Sequence, residues 1–148
     1  MVVAPDLGSI KLACAFAQSL KADFAIVDKR RLDAEHVEPG ALIGNVSGRD
    51  VLLVDDMVTT GETLKMAARV CKRKGAKRIF VAVTHGIFAE KPFEDRAIEK
   101  MFVTNTLPLP ENLPMEKIQV VSVAPLFSRA LESILAAKSI SSLYRKNG

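Results

Sequence analysis

Tryptophan is absent from this 148-residue chain, tyrosine occurs once, and aromatic residues make up 5% of it. Base-stacking platforms are therefore poorly supplied. The formal net charge of +4 and the isoelectric point of about 9.2 need another explanation than nucleic acid. The excess cations are scattered over Lys29-Arg30-Arg31, Lys72-Arg73-Lys74, Lys77-Arg78 and Arg145-Lys146, which suits small anionic substrates. The two cysteines, Cys14 and Cys71, have no paired spacing and read as buried free thiols in helices, not as a disulfide framework or a zinc site. The two histidines, His36 and His85, are too few for a metal cluster. No apolar run reaches the length of a membrane span, and no charged-then-apolar leader opens the chain. The cytoplasm is the expected location, with neither membrane nor nucleic acid as a partner. The P-loop spacing with its lysine is missing, which argues against a triphosphate cradle of that type. Repeats, low-complexity tracts and a second domain boundary are also lacking, so residues 1–148 are expected to form one domain.

The chain carries 49% hydrophobic residues and a slightly positive mean hydropathy, which exclude a disordered polymer. Short β-rich runs alternate with helical periodicity. Strands are predicted at Met1–Ala4, Phe24–Val27, Ala41–Val46, Val51–Val54, Ile79–Val83, Phe102–Thr104 and Ile118–Val123. Helices are predicted from a Ser9 cap to about Lys21, from Gly61 to Lys74 with Gly75 closing it, over Pro92–Lys100, and from Pro125 to Ala137. Phe16, Leu20, Phe80 and Leu126 are expected in the core. The alternation predicts an α/β fold: a mostly parallel sheet, about five strands of it, with helices on both faces. The polar segment from Lys29 to about Pro39 reads as a loop, mobile by composition.

One stretch concentrates chemistry. Val51-Leu52-Leu53-Val54 reads as a buried strand, Asp55-Asp56 stands at its carboxyl end, and Thr59-Thr60-Gly61-Glu62-Thr63 turns into a helix. Ligands of open α/β sheets sit at strand carboxyl ends. A helix N-terminus offers free backbone N–H groups to an anion, and threonine hydroxyls add donors. Two acids beside a phosphate cradle suit a phosphorylated sugar: the acids take ribose hydroxyls or a cation, the turn takes the phosphate. Further polar groups end other strands: Asp6, Lys29 with Arg31, Thr84 with His85, and Thr104-Asn105-Thr106. A parallel sheet gathers them on one edge. His85 either lines this site or is a hydrogen-bonded structural residue, and His36 reads as an exposed loop residue.

The Asp-Asp to Thr-Thr-Gly-x-Thr pattern resembles the signature of the phosphoribosyltransferase-type fold. Over nearly the whole length, the order Val-Val-Ala-Pro-Asp-x-Gly, Asp28-Lys29-Arg30-Arg31, Gly48-Arg49-Asp50-Val51 into Asp55-Asp56-Met57, Thr84-His85-Gly86-Ile87-Phe88, Val103-Thr104-Asn105-Thr106 and Ser139-Ile140-Ser141-Ser142-Leu143-Tyr144 is similar to the C-terminal half of the ribose-phosphate pyrophosphokinase family. The resemblance implies transfer of the β,γ-pyrophosphoryl group of ATP to the 1-hydroxyl of ribose 5-phosphate, with Mg²⁺. By position it implies that Lys29 is the catalytic lysine of a mobile loop and Arg31 a catalytic and substrate-contacting arginine. It implies that Asp55 holds the ribose hydroxyls with Asp56 beside it, and that Thr59, Thr60, Gly61, Glu62 and Thr63 surround the 5-phosphate. Asp6 corresponds to a Mg²⁺ ligand in a pyrophosphate loop.

The resemblance also marks departures. Thr59 stands where the family usually has Asp, Glu62 where it has Gly or Cys, and Ser9 where it has Gly. A Glu62 side chain facing inward would repel a phosphate; one turned away would be harmless. The family joins two similar domains, and the first, which supplies most of the ATP site, has no counterpart here. The start at Met1 directly on a strand is read as a truncation or a separately made half. The expected function is therefore a diphosphokinase domain that binds ribose 5-phosphate or phosphoribosyl pyrophosphate and is inactive alone. The alternatives are a small phosphoribosyltransferase and a non-catalytic ribose-phosphate-binding regulatory subunit. A homo-oligomer or a partner chain is expected in either case.

Overall fold

A computed structural model describes residues 1–28, 41–89, 95–111 and 113–143. In chain order the elements are β1 (Val2–Ala4), α1 (Ile10–Leu20), β2 (Phe24–Asp28), β3 (Ala41–Ile43), β4 (Val51–Val58), α2 (Glu62–Arg73), β5 (Ile79–Gly86), β6 (Lys100–Thr104), β7 (Ile118–Val121), α3 (Ala124–Leu135) and a 3₁₀ turn, η1 (Ile140–Leu143). The strands form one sheet in the order β3-β2-β1-β4-β5-β6-β7. Every neighbouring pair is parallel except β2 with β3. The parallel part thus has six strands rather than about five, because the short β1 and β7 both join it.

Apolar β-branched residues explain the central strands. Val51, Leu53 and Val54 are fully buried, since a parallel strand with a helix on each face has no solvent side. On one face Leu64, Ala67, Val70 and Cys71 of α2 pack with Leu53, Ile79, Val81 and Met101. On the other, Ala13 and Ala17 of α1 pack with Val2, Ala4 and Val54. Helix α2 ends as its sequence predicts. Gly75 takes φ +86°, its N–H reaches Lys72 O at 3.0 Å, and Ala76 N–H reaches Cys71 O at 3.0 Å. That pair of bonds satisfies the last carbonyls of the helix.

The chain leaves β1 toward β2 and β3 on one side, then returns to place β4 on the other side of β1. The junction of β1 and β4 is therefore the switch point of the sheet, where the connections diverge and open a crevice. Val2 pairs with Leu52 and Val3 with Leu53, so the residues following β1 and the end of β4 lie side by side.

Several expectations need correction. Strand β4 runs on to Val58, so the acid pair lies within the strand's last half, held by pairing of Asp55 with Val83 and Met57 with His85. Strand β3 stops at Ile43, because Gly44 turns away at φ +120°. Residues 92–94 of the expected Pro92–Lys100 helix lie outside the described residues; 95–99 form a turn and Lys100 begins β6. Cys71 is buried, which pushes its thiol up to about 11, but Cys14 is only half-buried on the flank of α1. Leu20 is exposed and Phe16 half-buried because no described element covers the side of the sheet beyond α1; Phe80 is half-buried, and Leu126 is exposed on α3, none of whose residues is buried. Among the described residues, no helix is long and apolar enough to cross a membrane.

Candidate functional site

Parallel strands bring their carboxyl ends to one edge, and there the expected residues meet. Asp6 follows β1, Asp55 and Asp56 lie near the end of β4, Thr84 and His85 near the end of β5, and Thr104 and Thr106 at the end of β6. Lys29 and Arg31, expected to act on the transferring phosphates, lie outside the described residues, as does His36.

The loop after β4 wraps a small cavity of about 50 Å³ lined by Asp55, Thr59, Thr60, Gly61, Glu62 and Thr63. Gly61 is buried at φ +78° in the position just before α2. That left-handed backbone is what glycine supplies at low cost. Gly61, at the N-cap position, has no side chain to cap α2, and Thr60 Oγ1 accepts the Glu62 N–H at 3.4 Å. The start of α2 thus sets backbone N–H groups and a positive dipole end beside the cavity. Glu62 sits at the mouth, but its carboxylate takes Lys65 Nζ at 3.1 Å and its side chain is 71% exposed. The side chain is turned along the helix surface, the harmless arrangement of the two considered.

The acid pair is organised by its own backbone. Asp55 Oδ1 accepts the Asp56 N–H at 3.0 Å, and Asp56 Oδ1 accepts the Met57 N–H at 2.8 Å. Asp55 is half-buried and Asp56 exposed. Burial pushes the Asp55 carboxyl up to about 6; the neighbouring charges of Asp6 and Asp56 push the same way, and the Asp56 N–H opposes them. A carboxyl tuned toward neutrality in a crevice is a functional-site signal.

Asp6 is held by a tight turn. Its Oδ1 accepts Gly8 N–H at 2.9 Å and Ser9 N–H at 3.2 Å, with Ser9 Oγ at 3.3 Å. Ser9 is buried, and its hydroxyl donates back to Asp6 O at 3.1 Å rather than capping α1. Its φ of −88° is open to any residue, so serine in place of glycine costs no backbone freedom here. His85 is hydrogen-bonded at the same edge: Nδ1 lies 2.9 Å from Thr106 Oγ1. Thr104 and Thr106 both donate to Thr84 O, at 2.6 and 3.1 Å, tying the ends of β5 and β6 together.

For a metal ion, no group of three or more His, Cys, Asp or Glu side chains converges among the described residues. Mg²⁺ does not need one: it takes one or two carboxylates and fills its octahedron with water and substrate oxygens. Asp6 fits that use, since the hydrogen bonds to its side chain all run to Oδ1. The sequence reading did not foresee an apolar groove of about 410 Å³ beside the acids. Asp55, Leu52, Ala82, Phe102 and Val121 line it.

A six-stranded parallel core with its switch point beside an acid pair and a Thr-Thr-Gly turn defines a phosphoribosyltransferase-type fold. Orotate phosphoribosyltransferase from Aeropyrum pernix shares that fold at a TM-score of 0.52 over 88% of this chain and 64% of its own, with 18% identity. Residues 30–145 match the family described as phosphoribosyl synthetase-associated domain, and the chain belongs to that family. A ribose-phosphate pyrophosphokinase from Caldanaerobacter subterraneus subsp. tengcongensis is 41% identical over 97% of this chain and 46% of its own length. The crystal structure of phosphoribosylpyrophosphate synthetase from Mycobacterium smegmatis superposes at a TM-score of 0.75 with 30% identity, over 92% of this chain and 45% of that one. The chain thus spans about half the length of these relatives.

Proposed function

We propose that this chain is the ribose-phosphate-binding part of a ribose-phosphate diphosphokinase. It takes ribose 5-phosphate, or phosphoribosyl pyrophosphate in the reverse direction. The observation that carries the proposal is the Gly61 turn and the start of α2 placed directly beside Asp55 and Asp56 at the switch point. The backbone N–H groups of residues 60–63 take the tetrahedral 5-phosphate. Asp55 and Asp56 accept hydrogen bonds from the ribose hydroxyls.

In the proposed reaction the ribose 1-hydroxyl oxygen attacks the β-phosphorus of ATP. The bond from that phosphorus to the α,β-bridging oxygen breaks, AMP departs, and the hydroxyl loses its proton. Positioning and charge neutralisation are what such a transfer asks of a protein. Lys29 supplies charge to the transferring phosphates, and Arg31 holds their oxygens with a planar fork. Mg²⁺, when bound, neutralises phosphate charge; Asp6 is the residue that would hold it. By the family resemblance, the adenine pocket falls to the half outside this match, so ATP would be bound by the larger assembly.

The match across nearly the whole chain to ribose-phosphate pyrophosphokinases favours this reading over a small phosphoribosyltransferase. Calorimetric titration with ribose 5-phosphate tests it. Binding is expected for the unaltered chain and loss of it in Asp55→Asn/Asp56→Asn. Equal affinity in the double variant would remove the sugar role of the acid pair.

A further inference from the structure

A cavity of about 640 Å³ lies away from the acid pair, lined by Arg69, Asp95, Arg96, Pro114, Glu116 and Lys117. Residues 95–99 lead into β6 and residues 114–117 into β7, so two of its walls stand at the amino ends of these parallel strands. The acids and the Gly61 turn stand at the carboxyl ends. The five residues of β6 put about 16 Å between the two edges.

The walls are fixed. Ile98 N–H donates to Asp95 O at 3.1 Å and Lys117 N–H to Pro114 O at 2.9 Å, closing a turn on each side. Buried Ile98, Leu113 and Ile118 root both turns in the core. Lys117 Nζ donates to Ile98 O at 3.4 Å, which ties one turn to the other. The third wall is the second half of α2, where Arg69 stands. The Asp95 side chain is 6% exposed; its Oδ1 accepts the Ala97 N–H at 2.8 Å and its Oδ2 the Arg69 Nε–H at 2.9 Å. A buried carboxylate thereby holds the Arg69 guanidinium through Nε alone.

The unspent donors define the ligand. The terminal nitrogens of Arg69 and the whole guanidinium of Arg96 have no partner among the described residues, and Lys117 Nζ makes the one bond to Ile98 O. Three cationic groups on three separate segments suit the oxygens of a tetrahedral phosphate, whereas a flat carboxylate would use one fork and leave the others. Charge sets the upper limit. Asp95 offsets Arg69, and Glu116 offsets one of Arg96 and Lys117, which leaves a single net positive charge. A phosphate monoester, at about −1.5 to −2, matches this far better than a diphosphate or triphosphate. The volume falls within the roughly 300–1,000 Å³ of sites for small organic molecules, so there is room for an organic part beside the phosphate.

We propose that this cavity is a second binding site, for a phosphate monoester, separate from the Gly61 turn and independent of the function proposed for that turn.

NMR of the backbone amides, with the 148-residue chain titrated by phenyl phosphate, tests it. Saturable shifts are expected at residues 95–98 and 115–117. Arg96→Gln changes an exposed residue without a described partner and so keeps the fold. It is expected to weaken binding at these residues about tenfold or more, and Lys117→Gln to act likewise. Lys74→Gln, at an exposed cation outside the cavity, is expected to leave the affinity unchanged. Shifts confined to residues 60–63 would support the sugar-phosphate reading and overturn this one. Equal affinity in Arg96→Gln, or an equal loss in Lys74→Gln, would also overturn it. So would inorganic phosphate binding as tightly as the ester, since the organic part would then contribute nothing.

Discussion

The carboxylates of Asp6 and Asp55 repel one another across the carboxyl ends of β1 and β4. The two come from segments nearly fifty residues apart, and parallel pairing of Val3 with Leu53 sets them on one edge. Together with burial, this repulsion holds the Asp55 carboxyl at about 6, above its ordinary 3.8. A raised acid favours folding while it is protonated in both states and opposes it once it must ionise in place. Its contribution is thus fully present below pH 3.8 and is lost as pH rises through about 6. Asp55→Asn removes this titration and keeps the acceptor for the Asp56 N–H. Melting temperatures of the two proteins should agree near pH 3.5 and separate above pH 6, with the Asn variant the more stable.

The same ionisation is expected to govern sugar binding. A ribose hydroxyl donates best to a charged carboxylate, so affinity for ribose 5-phosphate should rise as pH passes through about 6. The phosphate monoester itself titrates near 6. Glycerol phosphate, which has no ribose ring, separates the two effects. Its pH profile should be shallower than that of ribose 5-phosphate, and calorimetry at several pH values would show equal slopes if Asp55 plays no part.

Gly61 sits at φ +78°, buried, at the pivot between β4 and α2. Alanine there meets the left-handed penalty of roughly 1 kcal/mol or more. Gly61→Ala should lower stability by about that amount in denaturant titration and weaken phosphate binding more than Glu62→Gln does. A Glu62 variant with the larger loss would show that the side chain, not the turn, forms the anion site.

Gly86 ends β5 for a different reason. A Cβ there would lie 2.5 Å from Phe88 and 2.8 Å from Val103, in the packed layer under the loop. Overpacking of this kind typically costs about 1–3 kcal/mol. Gly86→Ala is expected in that range by urea unfolding, although its conformation is open to any residue.

The chain alone is expected to make no phosphoribosyl pyrophosphate from ATP and ribose 5-phosphate, because the nucleotide is left without a positioning pocket. Within a complete enzyme, Lys29→Ala should lower kcat far more than it weakens ribose 5-phosphate binding, as its charge counts most while the pyrophosphoryl group moves. Coupled detection of AMP measures both. Robust turnover by the isolated chain would show that this half is sufficient.

Local chemistry was readable without coordinates wherever one segment carried the whole signal. The Val51-to-Thr63 run announced strand, acids, turn and helix, because apolar β-branched runs, carboxylates and a Thr-Gly turn each have narrow conformational uses. Gly75 announced the end of α2 for the same reason. The length of β4 was not readable. Pairing with β5 as far as Val58 and Gly86 kept the acids inside the strand, and that pairing belongs to both partners.

Residue order alone specified an α/β chain with an acid pair and an anion-ready turn at a strand end, together with the family they mark. The tertiary structure alone decided that Asp6 stands beside Asp55, that Ser9 binds Asp6 instead of capping α1, and that the Glu62 carboxylate turns to Lys65. It also decided that Leu20, Leu126 and Leu131 stay exposed. Hydrophobicity states that a side chain is stabilised by burial. Whether a partner surface lies within reach depends on where strand order and connection geometry put the elements, and among the described residues they bury none of α3 and leave the groove beside α1 open.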